Sequence, residues 1–280
     1  MIVFLFLTRG NLNHLARWQR FFKNVDKSKY IIITHTSKDV KLKSPLTNTN
    51  IRTVPTAWGK ITHAIFELLK ESLKYPATHV MLLSESCVPL YTFDYMHKYI
   101  KKQNKIIVNY LKIDKWNIKN IHQQINSSHI KENKRNKFLK NLVKHNANWA
   151  MPIKYVKLLL KIPKKYIDII HNMKNGDEYL FSLLTMYKGK SIIKQQWWVY
   201  SDWEYCKIRH AKIKKQIDAI YNDSYNNKLL SKLKDKSRKA YWHPKTFKHI
   251  SLKTYKRIIA TKALFVRKCV NSNIDDYPLI

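Results

Sequence analysis

The sequence predicts an α/β fold, a single domain built on a mainly parallel central sheet flanked by helices. Three observations carry this. The chain opens on an unbroken apolar run, Ile2 to Leu7, ended by Thr8-Arg9-Gly10, as a strand buried on both faces would be. Leu12, Leu15, Trp18, Phe21 and Phe22 follow at helical spacing, and Tyr30 to Thr34 reads as a second strand, so the opening is a βαβ unit. The remainder alternates short apolar runs with amphipathic ones, without an internal repeat or a Gly/Ser linker that would separate a second domain.

Taken in order, a polar loop near Lys41 to Asn50 leads through Trp58-Gly59 into a helix from Ile61 to Leu73, with Ile65, Leu68, Leu69 and Ser72 along one side. His79 to Leu83 is a strand that delivers Ser84-Glu85-Ser86 at its C-terminal end, the end at which open α/β sheets bind ligands. Phe93 to Ile100 reads as a helix and Lys105 to Asn109 as a strand. Lys112 to His145 is polar, basic and poor in period, a surface excursion or a long loop containing a helix. Asn146 to Pro152 is a short strand and Ile153 to Leu160 a helix stopped before Pro163. Ser191 to Ile193 and Trp197 to Val199 suit strands, residues 207 to 239 a Lys-rich helix. A helix from Ser251 and a last strand from Lys262 to Cys269 complete the chain.

Composition excludes several classes. With 54 basic and 18 acidic residues the formal charge is +36, which attracts any polyanion without choosing among them. The excess of Lys, Asn and Ile outside the motifs is equally explained by a compositional bias. Only four glycines occur, Gly10, Gly59, Gly176 and Gly189, so the glycine-rich loops of dinucleotide enzymes and P-loop NTPases are absent. Cys87, Cys206 and Cys269 are far apart and odd in number, neither a disulfide framework nor a zinc site. The opening apolar run is too short for a membrane span and lacks the flanks of a signal peptide. A soluble, cytoplasmic protein is the expectation.

Adjacent carboxylates occur only at Asp177-Glu178 and Asp275-Asp276. Gly176 permits a tight entry, and Leu180, Leu183, Leu184 and Tyr187 repeat as one buried helical face, which places Asp177 and Glu178 in the first turn. There they either complement the helix dipole or carry chemistry. Glu85 is open in the same way, as a capped carboxylate before Pro89 or as a ligand-facing group. In SDWEY, Trp203 and Tyr205 alternate with acids, an arrangement able to stack on the C–H face of a sugar ring.

Taken together, FLFLTRG with ARWQRFF, WGK, LLSESCVPL, NWAM, DEYLFSLL, SDWEY, HPKTF and LFVRK, spread from Val3 to Lys268, resemble the core-2/I-branching glycosyltransferases, glycosyltransferase family 14, most closely their plant branch. The resemblance implies a single GT-A-type, Rossmann-like domain: a nucleotide-binding half over residues 1–110, a basic variable excursion over 111–146, and an acceptor and catalytic half over 147–280. It implies inverting transfer of a sugar, by family default N-acetylglucosamine, from a UDP-sugar donor to a glycan or glycoprotein acceptor. Glu178 would be the general base, with Asp177 holding the turn or bonding a sugar. No Asp-x-Asp is present, so no divalent metal or other cofactor is expected. Fixed cations would stabilise the leaving diphosphate instead: Lys268, less firmly Lys245, and the adjacent Arg267, which in a regular strand would face away from Lys268. Thr8 and Arg9 would border the nucleotide, Ser84 and Glu85 the donor sugar, and Trp203, Tyr205 and Trp149 the acceptor.

Two rival functions follow from the same residues. A basic nucleic-acid-binding protein follows from the charge, though no nucleic-acid motif accompanies it and any such contact would be non-specific. A catalytically inactive sugar-binding relative would keep the aromatic pair, but the intact Asp177-Glu178 argues against it.

Overall fold

The computed structural model describes residues 1–37, 48–111, 115–126, 131–173, 175–221 and 244–280, with residues 42, 113 and 232. Its frame is a seven-stranded sheet built from β1 (Ile2–Thr8), β2 (Tyr30–Thr36), β3 (Thr49–Asn50), β4 (His79–Ser84), β6 (Ile106–Leu111), β7 (Lys144–Pro152) and β8 (Ile193–Gln195). The short β5 (Val88–Pro89) belongs to a second sheet. The order across the large sheet is β3-β2-β1-β4-β7-β6-β8. All of its strands run parallel except β7, which is antiparallel to both β4 and β6. The C-terminal ends of β1, β4 and β6 therefore share one edge with the start of β7. This is the mostly parallel α/β sheet expected of a single GT-A-type domain.

Both faces of the sheet are covered, which explains why its strands are continuous apolar runs. Along β1, Val3 and Leu5 enter one core while Ile2, Phe4 and Phe6 enter the other, the alternation of a pleated strand. On the second face α1 (Leu15–Phe22) packs Trp18, Phe21 and Phe22 edge-on or stacked around Phe4, with Tyr30 and Phe93 closing the cluster. The Trp18 indole N–H donates to the Cys87 carbonyl at 3.1 Å. Arg17 is also fully buried, and its guanidinium is satisfied by the carbonyls of Pro89, Ile274, Tyr277 and Pro278, so the loop after β4 and the tail are tied to α1.

The first face carries α2 (Thr62–Ser72), α6 (Ile153–Leu159), α7 (Lys164–Asn172) and α8 (Ser182–Lys188). The expected stripe of Ile65, Leu68, Leu69 and Ser72 is buried. Helix α7, which the sequence did not announce, starts after Pro163 and buries Tyr166 and Ile170. Within the basic excursion α4 (Lys115–Asn126) and α5 (Glu132–Lys140) fold back and bury Ile121, Ile125 and Phe138. Helix α3 (Phe93–Lys101) lies on the second face with α10 (Leu252–Ala260), whose start is capped by the Ser251 hydroxyl accepting from the Thr254 amide. Helix α9 (Glu204–Tyr221) covers the first part of the expected Lys-rich helix; residues 222–231 and 233–239 lie outside the described residues.

Four expectations are corrected. No helix begins at Asp177: Gly176–Tyr179 form a 3-10 turn and α8 starts at Ser182. Leu180, Leu183 and Leu184 are buried as expected, but Tyr187 is 46% exposed, with the Lys137 ammonium over its ring. The strands near Trp197 begin two residues later than expected, because a 3-10 turn follows Gly189 and Trp198 rather than Trp197 enters the core. The last strand is also shorter. β10 (Phe265–Arg267) lies in the second, three-stranded sheet, between β5 and β9 (Val199–Ser201). Among the described residues no helix is long and apolar enough to cross a membrane.

Candidate active site

The acidic turn is shaped by two glycines. A side chain on Gly176 would place its first carbon 1.6 Å from the Ile170 carbonyl oxygen, so α7 closes directly on the turn. Asn175 is left-handed, with φ 55°, and its carbonyl accepts from the Glu178 amide at 3.0 Å. Gly59, at φ +71°, lies so close that a β-carbon there would stand 2.4 Å from Asn175 Oδ1. The Trp58-Gly59-Lys60 turn is thus a buttress for the acids.

The start of β7 is fastened to the same segment. Ser182 Oγ accepts from the Val143 amide at 2.9 Å and donates to the Val143 carbonyl at 3.2 Å. His145 is fully buried, and burial lowers its pKa to about 4, so the ring is neutral. Its Nδ1 donates to the Asn146 carbonyl, which leaves Nε2 to accept from the Phe181 amide. Between these ties sits Lys144, whose ammonium stands 3.6 Å from Glu178 Oε2.

Electrostatics separates the two acids. Burial raises the pKa of the Glu178 carboxyl, while Lys144 and then Arg267 draw it back. Its side chain keeps 28% of its surface, so it is reachable from solvent. Asp177 is 5% exposed, one of its carboxyl oxygens lacks a hydrogen-bond partner, and burial, followed by the Glu178 charge, raises its pKa to about 7. Asp177 is thus the deeper of the two acids, and neither starts an α-helix.

Arg267 comes from the second sheet. Its Nη1 donates to Asn148 Oδ1 at 3.1 Å while its buried Nε has no partner. Its charge lowers the pKa of Glu178. Lys268 is half-buried, and its carbonyl accepts from the Phe247 amide. Lys245 is half-buried, its amide donating to the Asp202 carbonyl and its ammonium lying 5.4 Å over the Phe247 ring. His243 of the HPKTF stretch lies outside the described residues.

The other candidates cluster at the carboxyl edge of β1 and β4. The Arg9 amide donates to the Glu85 carboxylate, and the Asn13 amide to the Glu85 carbonyl, so Glu85 ties two loops together rather than capping its own turn. Ser84 Oγ lies 3.2 Å from Ser86 Oγ and 3.3 Å from Cys87 Sγ. The Cys269 amide donates to the Ser86 carbonyl, which brings the Arg267–Lys268 segment alongside. Thr8 is buried with its hydroxyl unpartnered.

Of the aromatic candidates, Trp203 is half-buried just before α9. Tyr205 is the second residue of that helix, and its side chain lies outside the described residues. Trp149 is a correction: it is fully buried in β7 and packs edge-on against Phe181, so no acceptor can stack on it. Lys144 and Asn148 are the residues sequence reasoning missed. Asn148 lay within the NWAM motif, whereas Lys144 was one of 54 basic residues without a motif to mark it. Among the described residues no group of three or more His, Cys, Asp or Glu side chains is placed to hold a metal ion.

Comparison with known proteins gives a family. A model of the Core-2/I-Branching enzyme family matches residues 2–259. A rice protein (Oryza sativa subsp. japonica) named glycosyltransferase BC10 is 28% identical over 118 residues, a stretch covering 39% of this chain and 30% of the rice protein. A family match over nearly the whole chain, on the mostly parallel α/β sheet described above, places this chain in the Core-2/I-Branching enzyme family.

Proposed function

We propose that the protein is an inverting, metal-independent glycosyltransferase that moves a sugar, N-acetylglucosamine by family default, from a UDP-sugar to a hydroxyl of a glycan acceptor. The observation that carries this reading is Glu178: a partly exposed carboxylate on a tight turn, with Lys144 3.6 Å away and, with Arg267, opposing the upward pull of burial on its pKa. Glu178 takes the proton of the acceptor hydroxyl as its oxygen attacks the anomeric carbon. The bond from that carbon to the diphosphate oxygen breaks on the opposite face, inverting the centre, and UDP leaves with its electron pair. Arg267, Lys268 and Lys245 supply fixed positive charge where that negative charge develops. Without an Asp-x-Asp in the chain, these side chains take the part that a divalent cation plays in other enzymes of this architecture.

The test is turnover of UDP-sugars, read as UDP release with and without acceptor, in the presence of EDTA. EDTA is expected to leave the rate unchanged, and Glu178→Gln to lower it by about 10² to 10⁴, the range for loss of a general base. Metal-dependent turnover, or a near-normal rate in Glu178→Gln, overturns the assignment.

A further inference from the structure

A cleft of about 300 Å³ opens beside the acidic turn, lined by Tyr110 and Leu111 at the end of β6, Leu142 to Lys144 at the start of β7, and Lys190 and Ile193 after α8. Its volume lies at the lower end of the range for small-ligand sites. Leu142 and Ile193 form a buried floor, Tyr110 is 44% exposed at the mouth, and Lys190 is exposed on the rim. The described lining has two ammonium groups and no carboxylate. Lys144 belongs both to this wall and to the ion pair with Glu178, so the cleft and the base share one side chain. Because Lys144 is already engaged by Glu178, Lys190 is left to meet a second negative charge.

We propose that this cleft is the acceptor subsite and that it takes an acidic sugar, a hexuronic acid residue whose carboxylate is met by Lys190. The proposal rests on the reading of Glu178 as the base. The apolar C–H face of the ring lies on Leu142 and Ile193, and the carboxylate points to the rim. A neutral hexose keeps the first contact and loses the second.

Binding measured by calorimetry tests this without turnover, using a methyl glucuronoside and the matching methyl glucoside. The glucuronoside is expected to bind the unaltered protein on the order of tenfold to a hundredfold more tightly, the scale of one charge-assisted contact. Lys190→Ala should remove that preference and Lys190→Arg keep it, with thermal melting confirming that both variants fold. Equal binding of the two sugars, no binding of either, or a preference that survives Lys190→Ala overturns the proposal. UDP release by the unaltered protein without acceptor reports separately on the proposed reaction, so failure of one is distinguishable from failure of the other.

Discussion

Lys144 Nζ stands 3.6 Å from Glu178 Oε2, a contact between the first residue of β7 and a turn 34 positions later in the chain. Burial opposes ionisation of Glu178 and Lys144 favours it, so Lys144 widens the pH range over which the base is present. Replacing Lys144 by Met removes the favourable charge and raises the Glu178 pKa further. The acidic limb of the pH–rate profile then moves to higher pH, as loss of a nearby opposite charge requires. Turnover should fall on the acidic side of the profile while that on its alkaline side changes little. A uniform loss at all pH values would mean that Lys144 acts on something other than the protonation of Glu178.

The three tail cations differ in what they are fixed to, and this orders their expected effects. Arg267 is anchored by Asn148 and its charge reaches Glu178. Lys245 lies over Phe247. Arg267→Ala should therefore lower kcat most, by about 10² or more, the scale for loss of one preorganised donor to developing charge. Lys268→Ala and Lys245→Ala should weaken UDP binding with a smaller effect on kcat. UDP affinity by calorimetry beside steady-state rates separates the two outcomes.

The sheet was legible in the sequence because its strands are buried on both sides, and an uninterrupted apolar run as short as Ile2 to Leu7 suits little besides a strand covered on both faces. The acidic pair was legible for a different reason, being one of two such pairs in a basic chain. What was hidden depends on contacts distant in sequence. The partner of Glu178 is a lysine, and one lysine among dozens has no local signature. The wall of the turn is the Ile170 carbonyl, which periodicity cannot reveal. Trp149 misled because an aromatic inside a motif reads the same whether it faces a ligand or the core, and only the pleat of β7 decides.

Asp177 predicts a stability that depends on pH. Its carboxyl has a folded pKa of about 7 against an ordinary value of 3.8. The folded state therefore binds more protons than the unfolded one between these values, and stability falls as pH rises from about 4 to about 7. Asp177→Asn removes the ionisation. The variant should gain on the wild type across that window and keep a gain on the order of 1–3 kcal/mol above it. Melting temperatures recorded from pH 4 to 8 check this, and parallel curves for the two proteins would refute it.

Alanine at the four glycines ranks how tightly the acidic turn is held. Gly10 has no atom within 4 Å of an added β-carbon and no positive φ, so Gly10→Ala should be neutral. Gly189 has open space but φ +74°, and alanine there should cost about 1 kcal/mol from backbone strain alone. Gly59→Ala adds a contact at 2.4 Å with Asn175 Oδ1 to a φ of +71°. Because the obstacle is a side-chain oxygen, Asn175 can shift, so the cost should be about 1–3 kcal/mol, with a larger fractional loss of turnover than of stability. Gly176→Ala meets the Ile170 carbonyl oxygen and carbon at 1.6 and 2.6 Å, backbone atoms that cannot move without unpacking α7. It should be the most damaging of the four, at about 3 kcal/mol or more. Denaturant midpoints measured beside UDP-release rates check this order, and Gly176→Ala at wild-type stability would show that α7 does not close on the turn that carries Glu178.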